Sequence, residues 1–179
     1  MSYDIRLASR ADVAAIEEVM RRSLEVIGRT AYDDVQVAST SRHTARVDLQ
    51  MIDDGTYFVA VIDDRIAGCG GWSRRAKLFR GSTAQEADAQ LRLIDPNTEA
   101  ARIRAMFVDP DFARRGIGRA ILERSEEAAR AEGFQQAVLV ALLSGQALYE
   151  ACGYRAVESL SFDTPDGVAI EGTLMEKAL

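Results

Sequence analysis

The stretch that most restricts how this chain folds runs from residue 100 to 142. It holds an apolar segment, AARIRAMFV, stopped by Asp109 and Pro110, then FARRGIGR, a helical pattern, and a second apolar segment, FQQAVLVAL. Pro110 has no amide hydrogen to give to a ladder, so it closes the first segment as a strand. Strand, glycine loop, helix and strand in that order place the chain among α/β proteins. Within the loop, Gly116 and Gly118 stand behind Arg114 and Arg115 and on either side of Ile117, with Arg119 next in line. A helix start leaves backbone N–H groups without partners and carries the positive end of the helix dipole, so anions are attracted there. Glycines let an oxygen-rich anion come close to the backbone, and the arginines add charge at the rim. Taken alone, the stretch fits either a phosphate cradle or a plain turn with solvated arginines. It lacks the Gly-Lys-Ser/Thr ending of a Walker loop and the third glycine of the dinucleotide fingerprint.

The remainder supplies more strands and helices and no interdomain linker. YDIRLAS alternates as a strand, and Ser9 with Asp12 has the spacing of a capping box that opens a helix whose Ile16, Met20, Leu24 and Ile27 share one face. A second helical region covers residues 35–52 and ends at DDGT. TYFVAVIDDRIAGCGGWS reads as two strands joined by a hairpin at Asp63 and Asp64. Residues 75–97 are polar, weakly periodic and closed by a proline, the pattern of a loop or short helix inserted at one sheet edge. GQALYEACG reads as a short helix, and the end of the chain as two strands turned by TPDG. With 179 residues, nearly half of them apolar, residues 1–179 are expected to fold as one domain around one core. The formal charge of −6 argues against binding nucleic acid or acidic membranes. Cys69 and Cys152 lie in apolar contexts without metal-ligand spacing, so they read as thiols of a reducing compartment and no metal is expected. No apolar run nears the roughly 20 residues of a membrane helix. The opening MSYDIRLASRAD is too charged for a signal peptide, and a cytoplasmic protein is expected.

From residue 103 to 154 the succession MFVDP, glycine loop, helix, strand and ALYEACGY closely resembles the GNAT superfamily of acetyl-coenzyme A dependent N-acyltransferases, and the resemblance extends over essentially the whole chain. It implies a mixed α/β architecture, the GNAT fold: a mostly antiparallel sheet of about seven strands flanked by about four helices, splayed between the fourth and fifth strands, with coenzyme A in the opening. It implies that Arg114, Arg115, Gly116, Ile117, Gly118 and Arg119 hold the pyrophosphate, chiefly through main-chain N–H groups. Ala113 stands where the family usually has Gln or Arg. Met106, Phe107 and Val108 would pair their backbone with pantetheine as an added strand does, and an N–H there would polarise the thioester carbonyl and support the oxyanion. Tyr149, in LYEACG, matches the family tyrosine that protonates the departing thiolate; a phenol of pKa about 10 carries its proton at neutral pH. The asparagine often found six residues earlier is Leu143 here, and the adjacent Ser144 is the candidate to contact the pantetheine arm instead.

The general base is less legible. Many members of the superfamily carry a glutamate on the fourth strand that helps deprotonate the acceptor through water. The matching position here is Arg104, and a guanidinium is no base. It would bind a carboxylate or phosphate on the acceptor, or stand solvated or salt-bridged. Simple alternation puts Arg102, Arg104, Met106 and Val108 on one face and Ile103, Ala105 and Phe107 on the other, unless a bulge breaks the parity. Glu99 is the fallback base, followed by Tyr32 and Glu25, and Trp72 reads as core or as the wall of the acceptor cleft. His43, in polar TSRHTAR, is expected on an exposed helix outside the chemistry. Arg74, Arg75, Lys77 and Arg80 read as a solvated face, or as a contact for the coenzyme's 3′-phosphate or an anionic acceptor. Acceptor selectivity is expected in the 75–97 insertion. The resemblance implies acetyl-coenzyme A as cosubstrate and direct transfer, in a ternary complex, to a primary amine of a small molecule; Arg104 favours one bearing an anionic group. A homodimer is compatible with it. Acetylation of a protein lysine or N-terminus, and a noncatalytic acyl-coenzyme A sensing module, are the alternatives.

Overall fold

The computed structural model describes residues 3–78 and 91–179. Seven strands, β1 (Asp4–Leu7), β2 (Tyr57–Ile62), β3 (Arg65–Ser73), β4 (Ala101–Val108), β5 (Gln136–Leu142), β6 (Arg155–Asp163) and β7 (Ala169–Ala178), form one sheet in the order β1-β2-β3-β4-β5-β7-β6. Every neighbouring pair is antiparallel except β4 and β5, which run parallel. That parallel pairing covers only Ala101 with Ala137 and Arg102 with Val138. Beyond Arg102 the two strands part, so the expected splay between the fourth and fifth strands is present.

The five α-helices of the described residues are α1 (Val13–Arg22), α2 (Asp34–Thr44), α3 (Leu49–Asp53), α4 (Ile117–Ala131) and α5 (Gln146–Ala151). They cover the sheet on both faces, and β2 shows how. Its alternate residues Tyr57 and Val59 join a core with Ile16, Met20 and Leu24, whereas Phe58, Ala60 and Ile62 join a second core with Ile117, Ile121 and Leu122. A strand buried on both sides reads as an unbroken apolar run, and YFVAVI is one. Burial of each such large side chain contributes roughly 1.5–3 kcal/mol.

Local signals set most element ends. The Ser9 N–H donates to Asp12 Oδ2 at 2.7 Å, closing a 3-10 turn, Arg10–Asp12, from which α1 starts. Asp63 and Asp64 both adopt positive φ, 47° and 61°, the conformation of a two-residue hairpin turn whose twist matches the strands. Gly167, at φ 80°, turns β6 into β7 within TPDG.

Two expectations need correction. The helical region expected over 35–52 is two helices, because Ala45 leaves helical geometry and Asp48 caps α3 through its side chain, which accepts from the Gln50 N–H at 3.2 Å. The face shared by Ile16, Met20, Leu24 and Ile27 holds for the first three, which are buried; Ile27 is half-buried. From Ser23 to Ile27 the helix widens to π geometry, so more than 3.6 residues make a turn and Ile27 rotates off the stripe. Of the 75–97 insertion, residues 79–90, with Arg80, lie outside the described residues. The described flanks meet at a bridge between Arg75 and Leu93.

Candidate functional site

The edge of β4 that faces the opening is built by a bulge. Cys69 pairs with Phe107 and Gly71 with Arg104, so three steps on β4 oppose two on β3. Ala105 takes the strain at φ 54°. The extra residue breaks the simple alternation: Ala101, Ile103, Met106 and Val108 pack toward α4, whereas Ala105 and Phe107 pack toward α1 and α3. Met106 and Val108 therefore do not share a face with Arg104, a correction caused by the bulge. Past it, the Asp109 N–H donates to the Ala67 carbonyl of β3 at 2.9 Å. Main-chain groups alternate sides along a strand, so Phe107 also faces β3, while the N–H groups of Met106 and Val108 face the gap where β5 has departed.

The start of α4 closes one end of that gap. Asp109 accepts from the Asp111 N–H at 2.9 Å and caps the 3-10 turn Pro110–Phe112, and a bidentate contact from Arg22 at 3.1 and 3.3 Å ties this capped corner to α1. Gly116 then occupies the N-cap of α4 at φ 82°, with no atom within 4 Å of where a Cβ would stand. Gly118 differs: a Cβ there would meet Leu148 at 3.1 Å and Val108 at 3.4 Å, so its bareness lets α4 close onto β4 and α5. Arg114, Arg115 and Arg119 are exposed around this 15-residue helix's N-terminus, and Ile117 is buried beneath it. The Arg115 guanidinium lies 5.6 Å from the centre of the Phe112 ring, and Arg119 donates to the Ala151 carbonyl at 3.3 Å. Open main-chain donors, exposed cations and free space at Gly116 fit a polyanion.

Tyr149, on α5, is 8 % exposed and sits edge-on to Tyr154, ring centres 5.9 Å apart. Burial, with the Cys152 thiol as a smaller cause, pushes its phenol well above the ordinary value, so it stays protonated. Among the described residues nothing hydrogen bonds its hydroxyl. Ser144, in the 3-10 turn Leu143–Gly145 that follows β5, is half-buried.

The candidates for acceptor and base are spread apart. Arg104 has a side chain only 8 % exposed and donates to Asp48 Oδ2 at 2.9 Å, and Lys77 reaches the same oxygen at 3.2 Å. Burial raises the Asp48 carboxyl, but the two cations outweigh it and hold the group below its ordinary value. Arg104 is salt-bridged, the blander of its two readings. Glu99 precedes β4, at the end where β4 and β5 still pair, and accepts two bonds from Arg92 at 2.7 and 2.8 Å. The Arg92 contact lowers it to about 2, so at neutral pH it is a very weak base. The Tyr32 hydroxyl donates to the Glu171 carbonyl at 2.5 Å and accepts from the Leu143 N–H at 2.9 Å, bridging β7 to the turn after β5. Glu25 accepts from Arg21 at 2.5 Å and from Ser41 at 2.9 Å.

Trp72 is 1 % exposed in the core beneath α4, edge-on to Phe134 at 5.6 Å. His43 is half-buried on α2, 3.3 Å from Asp166. Arg74 and Arg75 are not merely solvated: Arg74 pairs with Glu132, and Arg75 with Asp54 at 2.7 Å. Two residues of consequence escaped the sequence reading, Asp48 and Tyr57. An aspartate directly before LQMI is an N-cap signature that was legible; nothing in the sequence marks Tyr57.

The family model for the acetyltransferase (GNAT) family matches residues 16–154. The chain belongs to the GNAT acetyltransferase family. Solved structures agree on the fold. A GCN5-related N-acetyltransferase from Rhodopseudomonas palustris superposes with TM-score 0.75 at 18 % identity, covering 100 % of this chain and 97 % of the other. PaiA N-acetyltransferase from Thermoplasma acidophilum, solved in complex with coenzyme A, superposes with TM-score 0.70 at 17 % identity over 100 % of both chains. The ribosomal-protein-S18-alanine N-acetyltransferase from Escherichia coli gives TM-score 0.60 at 18 % identity, covering 99 % of this chain and 94 % of the other. No curated protein matches the sequence. As a GNAT acetyltransferase the chain is an acyl-transfer enzyme by family, with acetyl-coenzyme A as the family's donor. In this chain the sheet parts after Arg102, and α4 starts beside the opening at a turn bounded by Gly116. No helix among the described residues is long and apolar enough to cross a membrane.

Proposed function

We propose that this GNAT chain moves the acetyl group of acetyl-coenzyme A directly to a primary amine of a small-molecule acceptor within a ternary complex. The observation that carries the reading is the unpaired edge of β4, with the Met106 and Val108 N–H groups aimed into the opening next to the N-terminus of α4. Bound there, acetyl-coenzyme A supplies an activated thioester. The main chain of residues 114–119 holds its pyrophosphate, Arg114, Arg115 and Arg119 add charge, and the β4 edge aligns pantetheine as an extra strand would. An N–H from Met106 or Val108 donates to the carbonyl oxygen as negative charge gathers on it. The amine attacks and the C–N bond forms. As the C–S bond then breaks, Tyr149 gives its proton to the departing sulfur, and the proton shed by the acceptor nitrogen passes through solvent water and restores the phenol. The free Cys69 is wholly buried and pushed up to about 12 by desolvation, which suits a core thiol and not a covalent acyl carrier.

A preference for acceptors with an anionic group rests on the Asp48 cluster, where two cations, Arg104 and Lys77, face one carboxylate. Arg104 and Lys77 are both engaged by Asp48, so an anionic acceptor meets the one positive charge that this carboxylate leaves uncompensated.

Thermal stabilisation by acetyl-coenzyme A, coenzyme A, ATP and NAD, compared side by side, is the first test. A ligand at a hundred times its Kd adds about 2.7 kcal/mol, or a rise of roughly 5–10 °C for a chain of this size. A rise with the coenzyme A species alone is expected, followed by thiol release with amino acids ahead of polyamines. A folded sample that responds to neither coenzyme A species overturns the reading, and polyamines ahead of amino acids overturn the anionic preference.

A further inference from the structure

The GCGG run of β3, residues 68–71, carries no task in the transfer as described. Its bare positions are nevertheless filled by neighbours. A Cβ on Gly71 would lie 2.2 Å from the Thr56 carbonyl oxygen and 2.9 Å from Tyr57 Cδ2, so Tyr57 of β2 crosses β3 where a side chain is missing. A Cβ on Gly70 would lie 2.2 Å from Met106 Sδ, so Met106 lies across β3 on the other face. The two crossings flank the β4 bulge, which falls between the Cys69–Phe107 and Gly71–Arg104 pairs. The Tyr57 hydroxyl, on a residue 1 % exposed, spans two strands to donate to the Ala105 carbonyl at 3.0 Å.

We infer that Tyr57 is a positioning residue for acetyl transfer: its hydroxyl clamps the Ala105 bulge and so holds the Met106 and Val108 N–H groups at the thioester carbonyl. The inference rests on the transfer reading above. An alanine at positive φ is disfavoured, and a buried carbonyl turned out of its ladder is costly unless something donates to it. Tyr57 is the donor that makes the bulge affordable at this point. Without it, the strained residue has reason to relax toward ordinary strand geometry, and a one-residue slip reverses which main-chain groups face the opening. The glycines at 70 and 71 are what let both crossing side chains reach across.

Tyr57→Phe keeps the ring and removes the clamp. The expected result, measured well below the melting temperature, is a kcat about tenfold lower with the Kd for coenzyme A and the KM for acetyl-coenzyme A within twofold of wild type. Amide exchange at residues 105–108 of the free protein should also be several-fold faster. Loss of general stability alone would not divide kcat from KM in this way. Wild-type kcat in the variant overturns the positioning role, and unchanged amide exchange overturns the clamp. A wild-type chain without turnover on any amine overturns the transfer reading, and the positioning role with it, while the exchange comparison still reports on the clamp. Should the variant not fold, NMR of the wild type decides: a slowly exchanging Tyr57 hydroxyl proton coupled across its hydrogen bond to the Ala105 carbonyl carbon is expected, and its absence overturns the clamp.

Discussion

Gly116 and Gly118 differ by what surrounds them. The first stands open at positive φ, where any side chain strains the backbone, and the second is closed in by Leu148 and Val108. One leaves room for a ligand and the other lets two elements touch. Tyr149 shows the reverse situation, a buried polar group still without a partner: it is buried to the ring, raised by desolvation, and its hydroxyl has no hydrogen-bond partner among the described residues. Tyr149→Phe is therefore expected to lower kcat by about a hundredfold or more, the range for a lost proton donor, while coenzyme A affinity and the melting temperature stay close to wild type. Calorimetric titration with coenzyme A alongside a thiol-release assay checks this. A kcat within a fewfold of wild type would remove Tyr149 from the chemistry.

Two junctions between elements make separate predictions. The β6–β7 turn docks on α2 through Asp166, which accepts from Ser39 and Thr164 and lies 3.3 Å from His43. The Ser39 contact first, then Thr164, lowers the Asp166 carboxyl from 3.8 to about 2. A depressed carboxyl contributes stability that is present above its unfolded value and lost as pH falls through its folded one. The melting temperature should lose a component between about pH 4 and 2 that Asp166→Asn lacks. In Ser39→Ala, the Asp166 carboxyl carbon should titrate closer to 3.8 by NMR. At the second junction, Arg104 ties β4 to the cap of α3 through Asp48. Arg104→Leu leaves that carboxylate half-buried with Lys77 alone and is expected to cost about 3 kcal/mol or more by urea unfolding. Adding Asp48→Ser, which keeps a capping oxygen, should recover part of the loss; strict additivity of the two changes would mean that the pair is not coupled.

Across the whole molecule, the sheet behaves as two arms that share a short parallel seam. One arm runs β1 to β4 and the other β5, β7 and β6, joined through Ala101–Ala137 and Arg102–Val138. Amides on the gap side of β4 have no strand partner, so Met106 and Val108 should exchange faster than Leu139 or Ala141, whose N–H groups face β7. Coenzyme A should slow exchange at Met106 and Val108 and leave β6 unchanged. Equal protection at those two amides with and without coenzyme A would place the ligand elsewhere.

Local chemistry wrote much of this into the chain. The Asp63–Asp64 hairpin, the TPDG turn, the Ser9–Asp12 cap and the glycine-to-helix start at Gly116 are decided within a few residues, by backbone conformation and nearby donors, and each was legible. The order of strand, glycine loop, helix and strand determined the family and, through it, the splayed sheet. Three features of the site were not legible. The bulge at Ala105 depends on Tyr57 and two glycines more than thirty residues away in the chain, so alternation alone put Met106 and Val108 on the wrong face. Arg104 reads as a free cation until α3 brings Asp48 to it, and Glu99 reads as a free base until Arg92 folds back on it. Ionisation and register both depend on what packs nearby, and only the tertiary structure brings those partners together.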